Sequence, residues 1–473
     1  MDWFGGSDYE LARQVLQRGT AAIFLIAFAS TFNQFPALLG ERGLLPVPEF
    51  LRTAYGRSQP TIFRLHYSDR MLRALCVIGI LISASLVLGL PQLLGPWAPM
   101  VALLLLWVGY LSIVNVGQTF YGFAWESLLL EAGFLVAFLG SNELAPPIAV
   151  LFLLRWLVFR LEFGAGMIKM RGDRSWRDLT ALYYHHETQP MPNPVSRFAH
   201  LLPRWMHRSE VLGNHVAQLV VPWLLFAPQP VATLAAAIVI LTQGWLMVSG
   251  NFAWLNAITI VLTFSAVSDS VVRWIIPALP ESSDTESPLW WVVLVLAVSI
   301  LMVVLSWQPL RNLFSRNQLM NASFNRLHLV NAYGAFGSVT QERYEVIIEG
   351  TMDADPRSAN WSPYEFKGKP GDPRRIPRQF APYHLRLDWL MWFLALGAPG
   401  DRWFDALLRK LLDADPATLR LLRHDPFDGR KPEWIRAELW LYRFATRQQR
   451  RETGLWWVRE EADTFTRASR LRP

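Results

Sequence analysis

Six ionisable residues lie in stretches of this chain that otherwise favour lipid. In "YGFAWESLLLEAGFLVAFLG" (121–140) they are Glu126 and Glu131, and in "LFLLRWLVFRLEFGAGMIKMRGD" (151–173) they are Arg155, Arg160, Glu162 and Lys169. Placing such a group at membrane depth costs about 2.5–3.5 kcal/mol on insertion scales, so each needs a partner or a task. Two kinds of chemistry fit: a proton relay or polar substrate pocket inside the membrane, and ion pairs that lock a helix bundle. Arg155, Glu162 and Lys169 recur every seven residues, along one slowly drifting helical stripe. The two glutamates and the two arginines each stand five apart, a rise of about 7.5 Å. The short link "GSNELAPP" favours antiparallel neighbours. In that arrangement Glu126 meets Arg160 and Glu131 meets Arg155, and these are the pairs the spacing predicts. Gly164 and Gly166 permit a close helix approach.

A second candidate set is His185, His186 and Glu187, in "ALYYHHETQPMPNPVSRF". An imidazole there offers a general base near its working pKa or one metal ligand. Adjacent histidines lack the i, i+4 spacing that aims two rings at one ion, and no third ligand is evident nearby. The expected arrangement is a His–Glu pair that fixes the loop, with no metal and no cofactor. Lys169 would be a base if desolvated, but beside Arg171 and Asp173 snorkelling to water is the ordinary outcome. No nucleophile elbow, phosphate loop or dinucleotide fingerprint occurs, so the residues carry no enzyme signature of their own.

The elements that must position these groups are apolar. Charged residues make up 18% of the 473, against about 25% in soluble domains. Segments near 19–39, 74–94, 96–116, 122–140, 145–169, 211–227, 230–249, 251–278 and 288–307 are each about long enough to cross a hydrocarbon core. The reading is a polytopic α-helical membrane protein with eight or nine transmembrane helices over 1–310. Polar loops lie at 40–73 and 171–210, and no signal peptide is read. In the second loop, Trp176 to Leu182 suggests a short interfacial amphipathic helix, and the proline-rich run after it an extended or turning segment.

Residues 311–473 form a C-terminal α+β water-facing domain. They hold 27 Lys+Arg and 20 Asp+Glu, which accounts for the whole net charge of +7. Strands are expected at 344–351, 364–368, 434–445 and 454–465, and helices at 387–397 and 402–424, with Gly397 as a C-cap and Pro416 breaking the second helix. The basic surface suits membrane lipid headgroups, and a solvated face with a modest arginine bias accounts for it at least as well; nucleic acid is not expected. The edges near 331–351 offer strand addition to an unfolded client, although internal β-pairing is the more ordinary account of them. The lone Cys76 excludes an internal disulfide.

Taken together, "WESLLLEAGF", "RWLVFRLEFGAGMIKMRGD", "WRDLTALYYHHETQPMPNP", "NAYGAFGSVTQERYEVIIEGT", "YEFKGKPGDPRRIPRQFAPYHLRLDWLMWF" and "PEWIRAELWLYRF" resemble the lipase maturation factor family. The membrane half is also distantly similar to the horizontally transferred transmembrane domain of vitamin K-dependent carboxylases. The first resemblance implies a chaperone-like assembly factor for secreted lipases or related exported proteins, with the client held by the C-terminal domain. The second implies a membrane enzyme acting on a lipidic or quinone-like substrate at 122–140 and 145–169. The arginine bias suggests a bacterial plasma membrane; a eukaryotic source would imply the endoplasmic reticulum. Charge counting puts the two Arg-rich loops and the C-terminal domain in the cytoplasm. The resemblance implies the opposite side, and the extracytoplasmic placement is the one expected.

Overall fold

A computed structural model describes residues 3–277, 286–397 and 402–470. Its main helices are α1 (Glu10–Leu38), α2 (Asp69–Leu88), α3 (Trp97–Val116), α4 (Ala124–Val136), α5 (Ile148–Arg171), α6 (Leu182–Thr188), α7 (Arg204–Leu219), α8 (Val231–Ser249), α9 (Leu255–Thr263) and α10 (Leu289–Leu305). Beyond them come β1 (Arg343–Thr351), β2 (Ser362–Pro363), α11 (Arg386–Ala395), α12 (Arg402–Leu412), β3 (Trp434–Phe444) and β4 (Trp457–Ser469).

Among the described residues, five helices are long and apolar enough to cross a membrane: α1, α2, α3, α8 and the run Leu289–Phe314. The count falls short of eight or nine for local reasons. Segment 122–140 gives a 13-residue α4 followed by a 3-10 turn at Ala137–Leu139. Thirteen residues rise about 20 Å, less than a core of about 30 Å. Segment 145–169 is long enough as α5 but carries four charges. Segment 211–227 divides at Val220. Segment 251–278, whose last residue lies outside the described ones, yields a nine-residue α9 and a 3-10 turn.

Local chemistry sets the ends of the long helices. The Ser68 hydroxyl accepts the Met71 amide at the start of α2, and Gly89 closes it in the left-handed region at φ +81°. Helix α5 is the hub, packed against α4, α7, α9 and α10. Its glycines serve two neighbours: Gly166 faces the Leu219 side chain of α7, whereas Gly164 faces a backbone carbonyl, that of Tyr333. A Cβ at Gly164 would lie 2.5 Å from the Tyr333 oxygen. We therefore expect Gly164→Ala to cost about 1–3 kcal/mol by overpacking, read as a lower melting midpoint in detergent. An unchanged midpoint would mean that the Tyr333 segment moves freely.

The proline-rich loop departs from its expected form. Residues Leu182–Thr188 are helical, because the prolines begin only at Pro190 and constrain Gln189 rather than the residues upstream. The expected interfacial helix over Trp176–Leu182 is a single helical turn, Arg174–Arg177, and Trp176 is buried with Leu182, Val211 and Val339.

The C-terminal part holds an antiparallel sheet ordered β2-β1-β3-β4. Strand β1 is nearly all buried, with β3 on one side and the two-residue β2 on the other. Its edge near 343–351 is thus engaged internally. The expected strand 364–368 is reduced to β2 and a bridge between Glu365 and His424. Pro363 lacks an amide for the ladder, and the Gly368 amide is taken by the Asp388 carboxylate at 2.6 Å. Helices α11 and α12 lie between the strands in sequence, and a second short helix begins at Pro416.

Candidate functional site

The intramembrane charges do not form one network. They divide into two buried junctions and one cavity. At the first junction Glu126, on α4, is fully buried and pairs with Arg386, at the start of α11, at 2.5 Å. The Tyr110 hydroxyl donates to the same carboxylate, and His384 Nδ1 lies 3.5 Å from it. The Arg386 guanidinium also donates to the Phe120 carbonyl at 2.9 Å and covers the Tyr121 ring at 3.5 Å. The backbone is held as firmly: Gln34 accepts the Arg386 amide at 3.0 Å and donates to the His384 carbonyl at 2.7 Å. Residues 384–386 are thereby anchored among α1, α3 and α4.

At the second junction Glu131 pairs with Arg160. Its carboxylate also accepts the Asn331 amide at 2.9 Å, the Asn331 side chain at 3.0 Å and the Tyr333 hydroxyl at 2.8 Å. Arg160 returns a bond to the Asn331 carbonyl at 2.6 Å. The expected pairs Glu126–Arg160 and Glu131–Arg155 are therefore replaced by Glu126–Arg386 and Glu131–Arg160. Arg155 turns elsewhere, donating to the Ser265 carbonyl at 2.9 Å and stacking over Tyr9.

Glu162 and Lys169, on the same stripe of α5, face a cavity of about 780 Å³. Its walls, from α7, α8 and α9, are mostly apolar, and one end is polar. There the side-chain amide of Asn256 donates to Gln243 at 2.6 Å, and Gln243 to Glu162 at 2.5 Å. Gln218 donates to Glu162 at 3.3 Å and accepts from Lys169 at 2.9 Å, while Asn214 accepts from Lys169 at 3.0 Å. The Lys169 ammonium lies 4.5 Å from the Trp176 ring centre. Lys169 is buried here, not snorkelled to water. Such a cavity suits an amphiphile, with its chain along the apolar walls and its polar end at the amides.

His185 and His186 also line this cavity. Burial pushes the His185 imidazole down to about 4, so it is neutral near pH 7. Glu187 points away. It accepts the Phe444 amide of β3 at 2.6 Å, and its histidine neighbour is His200, at 3.6 Å, not His185 or His186. The residues that spacing alone did not single out are Arg386, His384, Asn331 and Tyr333. A buried glutamate with no partner on the adjacent helix was the available signal for them.

His384 supplies a pH dependence. Burial, with Arg386 adjacent, pushes its imidazole down to about 3, while Trp125 donates to its Nδ1 at 3.3 Å. The folded value lies below the unfolded value of about 6.5, so the neutral ring stabilises the fold above that pH. The contribution falls away as pH drops from about 6.5 toward 3. At about 1.36 kcal/mol per unit, pH 4.5 removes roughly 3 kcal/mol. We expect the melting midpoint of His384→Gln to fall less between pH 7 and 4.5 than that of the parent; equal slopes would place the proton elsewhere.

The lipase maturation factor transmembrane domain family matches residues 11–274, and the lipase maturation factor C-terminal domain family matches residues 329–467. The chain is 41% identical to lipase maturation factor 1 of Bos taurus, over 96% of this chain and 88% of that protein. It is 40% identical to the Homo sapiens protein of that name, over 96% and 87%. Lipase maturation factor 2 of Homo sapiens is 29% identical, over 96% and 82%. These relatives are eukaryotic and lend nothing to a bacterial membrane. No solved structure matches.

Proposed function

This chain belongs to the lipase maturation factor family, and from that premise we propose that it is a multi-pass membrane maturation factor whose clients are lipases. The observation that carries the reading is its extent. The similarity runs through both the membrane half and the C-terminal half, at about 40% identity over nearly the whole chain. An enzyme acting at the charged helices is not favoured, since Glu126, Glu131 and Arg160 are consumed by the two junctions.

In this reading the C-terminal half holds the client and faces the extracytoplasmic side. Strand β4 is the natural contact. It is 13 residues long, pairs among the described residues only with β3, and leaves Glu460, Glu461 and Asp463 exposed. Charges along such an edge discourage indiscriminate pairing, which a surface reserved for folding clients needs. The shorter helices α4 and α9 complete the bundle at membrane depth alongside the five long ones.

Co-expression of the full chain with a secreted lipase, in a host lacking its own maturation factor, should raise lipase activity per unit of secreted antigen. No rise would overturn the function. A photo-crosslinking residue at Glu461 should capture the lipase, and one at exposed Leu241 on α8 should not. Because Cys76 is buried, Glu461→Cys should report sidedness cleanly with a membrane-impermeant thiol reagent.

A further inference from the structure

His186, His207 and Glu210 lie together beside the cavity, with one potential ligand atom from each within 4.8 Å of the others. His207 and Glu210 stand three apart on α7 and so share a face, and His186 comes from α6. We propose that these three side chains bind a divalent transition-metal ion of the zinc class, with its remaining coordination position directed at the apolar cavity.

Three observations carry the assignment. His186 Nε2 and His207 Nδ1 are both buried without a hydrogen-bond partner, and both rings are about 2% exposed. Two orphaned imidazole nitrogens facing one carboxylate are costly unless something accepts their lone pairs. The outer contacts are those that orient metal ligands. His207 Nε2 bonds the His200 carbonyl at 3.2 Å, which leaves the lone pair on Nδ1, and the Trp245 indole donates to Glu210 Oε1 at 2.5 Å, which frees the second oxygen. Finally, His186 and Glu210 both line the cavity, which gives the ion an entry path and a ligand space of about 780 Å³. Two imidazoles and a carboxylate form an N/O set that suits zinc with an open fourth position. Ligand atoms around zinc stand about 3.3 Å apart at ordinary bond lengths, so binding draws the three atoms inward from separations of up to 4.8 Å.

The test uses the full chain purified in detergent, with metal content measured by mass spectrometry after incubation with Zn²⁺ and desalting. The parent should retain a stoichiometric amount, and exchange with Co²⁺ should give the visible bands of a tetrahedral N/O site. Glu210→Gln keeps the volume and the acceptor for Trp245, and should weaken retention more than about 10-fold. His207→Ala should abolish it, and His424→Gln, an exposed histidine in the C-terminal half, should leave it intact. A parent with no retained metal, or undiminished retention in both triad variants, would overturn the site. If His207→Ala does not elute as a monodisperse species, Glu210→Gln decides.

Discussion

Arg386→Met should be among the most damaging single substitutions in the chain. It leaves the Glu126 carboxylate fully buried with only Tyr110 and His384 as polar neighbours, and it removes the bond to the Phe120 carbonyl. Stranding one member of a buried pair costs about 3–5 kcal/mol. Total stabilities are only about 5–15 kcal/mol, so the variant should melt far lower or accumulate poorly. Arg386→Lys should recover only part of the loss. An ammonium cannot both reach Glu126 and lie flat on the Tyr121 ring, where the guanidinium sits 3.5 Å from the centroid. Glu126→Gln combined with Arg386→Met should be milder than Arg386→Met alone, because no unpaired charge remains. If Arg386→Met melts like the parent, the pair does not join the two halves of the chain.

That junction ties the C-terminal half to the helices of the membrane half. Residues 384–386 and 331–333 reach in among the helices, and each is met by a glutamate of α4. The two contacts fix the C-terminal half relative to the helices that meet it. Buried, directional ion pairs do this more specifically than apolar packing, which tolerates sliding. The same logic explains why Glu187 is spent on the Phe444 amide of β3, and why Arg343 donates to the Glu187 and Gln189 carbonyls at 2.9 and 2.5 Å. The proline-rich loop is clamped to the sheet from both sides.

Much of this was legible in the sequence and some was not, for identifiable reasons. The long apolar runs announced α1, α2, α3, α8 and α10, and β-branched and aromatic runs announced β1, β3 and β4. Hydropathy alone cannot distinguish a lipid-facing helix from one buried by its neighbours, and α4 and α9 are of the second kind. The seven-residue spacing put Arg155, Glu162 and Lys169 on one stripe of α5; Glu162 and Lys169 line the cavity and Arg155 turns to the Ser265 carbonyl, and nothing in the spacing revealed that amides of α7 and α8 would meet the first two. The partner of Glu126 lies 260 residues away, a separation no local pattern encodes. The triad of His186, His207 and Glu210 escaped for the same reason, since α6 and α7 are adjacent in space but their contact depends on the turn of the intervening loop.

The pairing of α4 with α5 offers the sharpest test, because sequence spacing and structure disagree on it by one step. A symmetrical hairpin sets Glu131 beside Arg155. The 3-10 turn at Ala137–Leu139 and the loop after it displace α5 along its axis, and Glu131 meets Arg160 instead, about 7.5 Å further on. Glu131→Ala should cost about 3–5 kcal/mol, since it orphans the Arg160 guanidinium, the Asn331 amide and the Tyr333 hydroxyl together. Adding Arg160→Met should restore part of the midpoint, with a coupling energy of up to about 3 kcal/mol in a double-mutant cycle. Recovery should stay incomplete, because Asn331 and Tyr333 remain without their acceptor. Adding Arg155→Ala should restore nothing and should lower the midpoint further, as the Ser265 carbonyl loses its donor. A coupling near zero for 131/160 alongside a large one for 131/155 would restore the symmetrical hairpin. It would also detach Asn331 and Tyr333 from the membrane core, and with them the argument that the two halves of the chain are locked together.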